Sequence, residues 1–262
     1  MKYCVEIGDP IVAELKIDEF VVPCLEWSND LEPLRVRTLK SFKAMFTLLQ
    51  NTGAYDTILK KYAPNISDSN KINHEYMFAL EQNIVKQINM VANSILDNKE
   101  PKNILDQVRE IAIAIHLWGG NTGRNSFVKD GGFDKNFSPV SYLEIIKCVI
   151  VGDIEKAILI WGNGTFNHIG ISFASKHVSY WSKADRAVKK YPVFDSLMAE
   201  VTLGRNGLLN WRHYRKYLEG MEATVKIVNI TGFTVIHLER QIYNWINQTT
   251  PAIDWINQRI VE

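Results

Sequence analysis

The sequence predicts a mainly α protein, a multi-helix globule, and three observations carry that prediction. Apolar residues recur at steps of three and four, as in Leu80, Ile84, Ile88, Val91 and Ile95, which lays one stripe along a helix. Residues that start and stop helices bracket such stripes: Asp30 before one, Gly53 after it, and Gly119-Gly120 after another. The β-prone pieces, such as Phe20-Val-Val22, are short and fall within residues 1–28. With 262 residues, 46% of them hydrophobic, the chain can bury a sizeable core.

Residues 1–28, with prolines at positions 10 and 23, are expected as an irregular N-terminal arm, and residues 29–262 as the helical domain. Its first helix follows Asp30 and runs through Leu34, Leu39, Phe42, Phe46 and Leu49 to Gly53. The Leu80–Ile95 stripe makes the second, and a third runs from about Asn103 to Trp118. Asn121–Pro139 is polar and glycine-bearing, which predicts a loop over the surface. Helical signal resumes at Val140–Val151, Asp153–Trp161 and Gly170–Trp181. Three more helices are expected at Ser196–Val201, Trp211–Leu218 and Thr234–Ile246. No internal repeat and no low-complexity tract interrupts the pattern.

Composition narrows the function classes. Thirty Lys and Arg stand against 29 acids, so a nucleic-acid partner would have to be held by a local basic face rather than by overall charge. Cys4, Cys24 and Cys148 are scattered, which argues against a disulfide framework, a zinc site or an iron–sulfur cluster and fits a reduced, cytoplasmic setting. Met1–Pro10 lacks the apolar stretch of a signal peptide. The longest apolar runs fall short of the roughly 20 residues a membrane helix needs, so no membrane partner is expected.

The chemistry-bearing residues lie further on. Asp153–Trp161 and Gly170–Trp181 are joined by a short connection containing Gly162 and Gly164, the layout of a helix–hairpin–helix element over about 153–181. Free N–H groups and the helix dipole at such a helix start favour phosphate, which makes Asn167, His168, Gly170 and Ser172 the candidate DNA contacts. The same glycines serve equally to cap one helix and begin the next. Within the second helix, Phe173 and Val178 are expected to face the core, while Ser172, Lys176 and Tyr180 share another side at four-residue spacing. Nineteen residues beyond Lys176, the run Tyr191-Pro-Val-Phe-Asp-Ser196 brings Asp195 to the start of a further helix. An amine nucleophile needs a confined site and a nearby carboxylate, and this pair offers both. Each also has a structural reading, Lys176 as a solvated charge and Asp195 as an N-cap.

The hairpin, the Phe-Ala-Ser-Lys-His run and the Tyr-Pro-Val-Phe-Asp-Ser run resemble the 8-oxoguanine DNA glycosylase-like branch of the helix–hairpin–helix glycosylases. Leu117-Trp-Gly-Gly120 with Arg124-Asn125, and the His237–Trp245 helix, look like the same branch. The likeness is carried by residues 153–196, extends more thinly from about 112 onward, and does not reach residues 1–100. It departs from the family where a Gly-x-Gly hairpin is usual, since Ile171 and Ser172 stand there. Aligning Ala174 with the alanine common in other branches would move the lysine slot to Ser172, one turn from Lys176. The aromatic-Ala-x-Lys arrangement and the distance to Asp195 favour Lys176.

The resemblance implies an active-site cleft between two helical halves and double-stranded DNA with a modified base as partner. The target nucleotide is flipped out, and the Lys176 amine attacks C1′ as the base leaves. That role requires a neutral amine, which burial or a neighbouring cation promotes. A Schiff base would then permit strand cleavage, with Asp195 stabilising the developing positive charge. No metal or organic cofactor is required, although the resemblance allows a monovalent cation held by hairpin carbonyls. Candidates for the base pocket are Trp118, Phe127, Tyr243 and Trp245, each of which serves equally as core. His237 and Glu239 are open in the same way, and Arg205, Arg212, His213, Arg215 and Lys216 form a basic cluster suited to phosphate. The alternatives are a glycosylase-fold protein that binds DNA or nucleobases without catalysis, one acting on a different base of foreign DNA, and a purely structural helical protein.

Overall fold

Eight consecutive residues, Ile111–Trp118, are buried on every side of one helix, and a helix apolar all round must be wrapped by others. In the computed structural model, which describes residues 4–5, 14–23, 25, 27, 37–64, 66, 72–163, 166–205 and 207–246, that is what surrounds it. The chain divides into two compact units, residues 35–190 and residues 1–34 with 191–262.

The middle unit is helical. Helices α1 (Arg37–Thr52), α2 (Asp56–Tyr62), α3 (His74–Leu96) and α4 (Ile104–Gly119) precede the short α5 (Asn125–Val128) and α6 (Phe133–Asn136). Then follow α7 (Pro139–Ile150), α8 (Ile154–Gly162) and α9 (Ile171–Ser182). The buried helix is α4, and α1, α2, α3, α7 and α9 pack against it. Local chemistry sets the boundaries. Asn73 accepts the Tyr76 N–H at 3.1 Å to start α3, and Ser138 accepts from Ser141 before Pro139 to start α7. Gly53 at φ 66° follows α1, and Gly120 at φ 77° follows α4. The expected N-cap Asp30 and Leu34 lie outside the described residues, and α2, which the sequence did not announce, is a short charged helix.

The segment 121–139 is not the surface loop its polarity suggested. Phe127, Phe133 and Phe137 are buried there, and their rings form one stack at 4.7 Å spacing, Phe127 on Phe133 and Phe133 on Phe137. Buried Asn136 donates to the carbonyls of Ser126, Lys129 and Gly132, satisfying a backbone that would otherwise need water. Glycines and polar residues here close tight turns around an aromatic core.

Among its described residues the end unit holds a small antiparallel sheet and three helices: β1 (Cys4–Val5), β2 (Glu14–Ile17), β3 (Phe20–Pro23), α10 (Ser196–Leu203), α11 (Trp211–Val228) and α12 (Val235–Ile246). The arm expected to be irregular thus contributes three strands over Cys4–Val5, Glu14–Ile17 and Phe20–Pro23. Its β2–β3 hairpin turns at Asp18-Glu19, and Pro23 is tolerated because β3 is an edge strand. Phe20 explains why α11 runs ten residues past the expected Leu218 despite Gly220: a Cβ at Gly220 would sit inside the Phe20 ring. Gly220→Ala, which ordinarily favours a helix, is therefore expected to destabilise the protein by about 1–3 kcal/mol through overpacking. Urea unfolding would show a lower midpoint, whereas a higher one would mean that Phe20 is not seated there. No described helix is long and apolar enough to cross a membrane.

Candidate active site

The hairpin expected at 153–181 is α8 and α9. Asp153 caps α8 by accepting the Lys156 N–H at 3.1 Å. The connection folds back because Trp161 stacks on Phe166 at 4.7 Å and donates its indole N–H to the Ile169 carbonyl at 3.5 Å. Gly164 lies outside the described residues. Asn167 is exposed, and His168, at φ 59°, donates from Nε2 to Asp130 Oδ2 at 2.5 Å. Gly170 is the N-cap of α9 with extended backbone, no side-chain cap and open space where a Cβ would stand. Any residue could adopt that conformation, so the glycine is not demanded by the fold itself.

α9 is buried from Phe173 through Ser182, which corrects the expectation that only Phe173 and Val178 face the core. Tyr180 is fully buried, and Lys176 keeps only 7% of its surface exposed. The Lys176 Nζ donates to Ser172 Oγ at 3.2 Å and to the Ser172 carbonyl at 3.4 Å, so the four-residue spacing does put both candidates on one face. It also lies 4.7 Å from the centre of the Phe173 ring. Room for this comes from α4: a Cβ on Gly119 would lie 2.7 Å from Phe173 and 3.1 Å from Lys176 Cδ, and one on Gly123 would lie 2.7 Å from both Phe173 and His116. Of the Gly119-Gly120 run, read in the sequence as a helix stop, Gly119 is also a seat for the lysine helix, while Gly120 lies against Ser41.

Behind the lysine is a layer the sequence did not reveal. His116 stacks on Phe173 at 4.6 Å and lies 5.0 Å from His177. Trp181 donates its N–H to the Tyr142 hydroxyl at 2.7 Å, and that hydroxyl, 2.6 Å from His177 Nδ1, has the imidazole as its acceptor. The His177 proton then sits on Nε2, which has no partner among the described residues, as have neither of the His116 ring nitrogens. Burial, reinforced by the Lys176 charge, lowers the His116 pKa to about 3. Burial, then His116 and Lys176, holds His177 well below its usual value. Both rings are neutral in the folded chain at neutral pH.

Acid sensitivity follows from these two rings. Below about pH 6.5 the unfolded chain binds protons that folded His116 refuses until about pH 3, so stability is full above the first value and drains away toward the second. By pH 5 His116 alone is expected to cost about 2 kcal/mol. Urea unfolding at pH 7.5 and 5 should show that loss, and His116→Phe should flatten it. An unchanged slope in the variant would contradict the assignment.

The remaining expected residues divide between the units. Trp118 is buried edge-on against Tyr180 at 5.0 Å, in the cluster where Lys183 meets Glu81, and is core rather than an open pocket wall. Phe127 is core as well, edge-on to His116 at 5.4 Å. Lys176 belongs to the middle unit, and Asp195, Arg212, Tyr243 and Trp245 to the end unit. Asp195 caps α10: its Oδ1 accepts the Met198 N–H at 3.0 Å, and its Oδ2 takes no hydrogen bond among the described residues. No family model, no curated protein and no solved structure matches this chain. Its chemistry has to be read from its own side chains.

In the end unit the basic cluster is organised around an acid. Glu19 takes Lys216 at 2.5 Å and Arg205 at 3.8 Å, and these charges with that of Arg212 hold its carboxyl below the usual range. Arg212 itself is exposed on the first turn of α11. His213 is a capping residue, its ring accepting the Asn210 N–H, and His237 does the same for Thr234 at 3.1 Å. Tyr243 and Trp245 are half-buried on α12, while Glu239 is buried. Among the described residues no three His, Cys, Asp or Glu side chains gather as a metal-binding group.

Proposed function

We propose that the protein is a DNA N-glycosylase with associated lyase activity, excising 8-oxoguanine or a related modified purine through Lys176. The observation that carries the reading is a lysine amine held in a nearly closed site on the second helix of a helix–hairpin–helix element, beside Ser172 and Phe173. A lone lysine on a helix normally extends into water, and burying its amine is costly unless the site uses it. In the reaction the Nζ lone pair forms a bond to C1′ of the flipped nucleotide. The C1′–N bond breaks, and its electron pair leaves with the base, which takes up a proton. Loss of the amine proton and opening of the sugar give a Schiff base, from which β-elimination releases the 3′ phosphate.

Asp195 is the proposed partner carboxylate, its Oδ1 accepting the Met198 N–H as the cap of α10. Gly170 and the uncapped N–H groups at the start of α9 are the proposed phosphate contacts, with Asn167 and His168 flanking them. Arg212, exposed on the first turn of α11, is the member of the basic cluster proposed to touch the backbone. Whether the site acts without catalysis, as a binder of DNA or nucleobase, is decided by the same experiment. Duplex DNA carrying 8-oxoguanine opposite cytosine is incubated with the protein and borohydride. A covalent adduct supports the enzyme, retention without adduct supports the binding protein, and neither leaves the site without a DNA role.

A further inference from the structure

We infer that Asp130 is a positioning residue for the proposed phosphate contacts of the hairpin, because it holds His168 from a neighbouring segment that is itself pinned to the core. The inference rests on the DNA-binding half of the glycosylase reading and needs no excision. His168 Nε2 and Asp130 Oδ2 stand 2.5 Å apart across 38 residues of sequence. Both residues have left-handed backbone, at φ 59° and 51°, which a residue bearing a side chain adopts only at a cost. Two such residues that meet side chain to side chain form a contact enforced by the structure around it.

Each side is built to hold its half. The turn that bears Asp130 is fixed by buried Asn136, which donates to the carbonyls of Lys129 and Gly132 at 2.8 and 3.0 Å. Asp130 is therefore presented from a turn locked onto the aromatic core. Opposite it, Phe166 stacks on Trp161 and meets Phe137 edge-on at 5.6 Å, so the root of the hairpin packs against that same core. His168 lies two residues after Phe166 and two before Gly170, the N-cap of α9, with Asn167 beside it. Charge decides what the pair is for. With side chains 28% and 68% exposed, the pair adds little to stability. A carboxylate beside a phosphate site repels the phosphate, so Asp130 weakens DNA binding unless its hold on His168 outweighs that repulsion.

The test turns on a sign. Asp130→Gly removes the carboxylate and keeps the left-handed backbone. A mere surface pair would lose one negative charge and bind DNA more tightly. A positioning residue would leave the hairpin loose, and binding should weaken about fivefold. The probe is an undamaged DNA duplex at fixed salt, followed by fluorescence anisotropy, since phosphate contacts need no modified base. In a His168→Gly background Asp130→Gly should weaken binding no further, because the side chain it acts through is gone. Unchanged or tighter binding in Asp130→Gly, or a fivefold loss that persists without His168, would overturn the inference. A second readout is independent of DNA. The ¹⁵N resonances of the His168 ring, assigned by their loss in His168→Gly, should move in Asp130→Gly, and unmoved resonances would overturn the inference as well. A native chain that binds the duplex but excises no base removes the enzyme and leaves the inference standing. One that binds no duplex removes both.

Discussion

Lys176→Met is expected to lose every trace of borohydride-trapped DNA adduct while the protein stays folded. Methionine keeps an unbranched apolar stem of similar reach and deletes the amine. That matters because the stem is packed: Lys176 Cδ stands against Gly119, and the side chain is 7% exposed. Lys176→Ala should lose the adduct too, but it also opens a void beside Phe173, so its stability would fall by an amount unrelated to chemistry. Comparing the two separates nucleophile from packing. Adduct formed undiminished by Lys176→Met would exclude Lys176 and turn attention to another amine. Ser172, bonded to Nζ at 3.2 Å, is then expected to act as a support, with Ser172→Ala lowering the rate and leaving adduct formation intact.

Glu81→Ala is expected to destabilise the protein by about 3–5 kcal/mol. Glu81 on α3 accepts from the Lys183 amine at 2.7 Å, and their side chains are only 7% and 12% exposed. The ammonium also lies 4.2 Å from the Tyr180 ring centre and 5.8 Å from that of Trp118. Removing the carboxylate takes the 2.7 Å partner from a largely buried positive charge that lies among aromatic rings at the end of the helix that bears Lys176. Replacing both partners by apolar residues, Glu81→Leu with Lys183→Met, should recover most of the loss, because the desolvation of both charges disappears with them. Urea unfolding of the single and double variants reads this directly. A loss below 1 kcal/mol in Glu81→Ala would mean the pair behaves as a surface ion pair.

Much of the fold was legible because its signals are local. Periodic apolar positions placed α4, α7, α8, α9 and α12 to within a residue or so, α3 begins six residues ahead of the Leu80 stripe, and the α10 start followed from Asp195 as a cap. Failures came where tertiary contacts overrode local preference. Polar residues and glycines over 121–139 looked like a loop, yet they fold tightly around Phe127, Phe133 and Phe137. The helix expected to stop at Leu218 continues through Gly220, which is the groove for Phe20, a residue two hundred positions away. β3 pairs with β2 over four residues, too short a pattern to stand out from an irregular arm.

The candidate site was legible in part for the same reason. Spacing alone put Ser172 and Lys176 on one face. It gave no hint that this face is closed, since the burial of α9 on all sides depends on Gly119 and Gly123 of a helix and turn some fifty residues earlier. Nor did it mark His116, His177 and Tyr142, which look like ordinary core residues until their rings are seen to meet behind the lysine. One signal was available: adjacent Lys176-His177 places a titratable ring one helical step from the proposed nucleophile, and an apolar helix carrying a lone histidine, His116, is a second place to look.

The measurement that bears most directly on the central claim is the site of covalent attachment. The native chain is trapped with borohydride on duplex DNA containing 8-oxoguanine opposite cytosine, digested, and the modified peptide sequenced by mass spectrometry. A reduced sugar remnant on the Lys176 side chain alone is the expected result. Attachment at Lys183, whose amine is held by Glu81, or at any other lysine would contradict it.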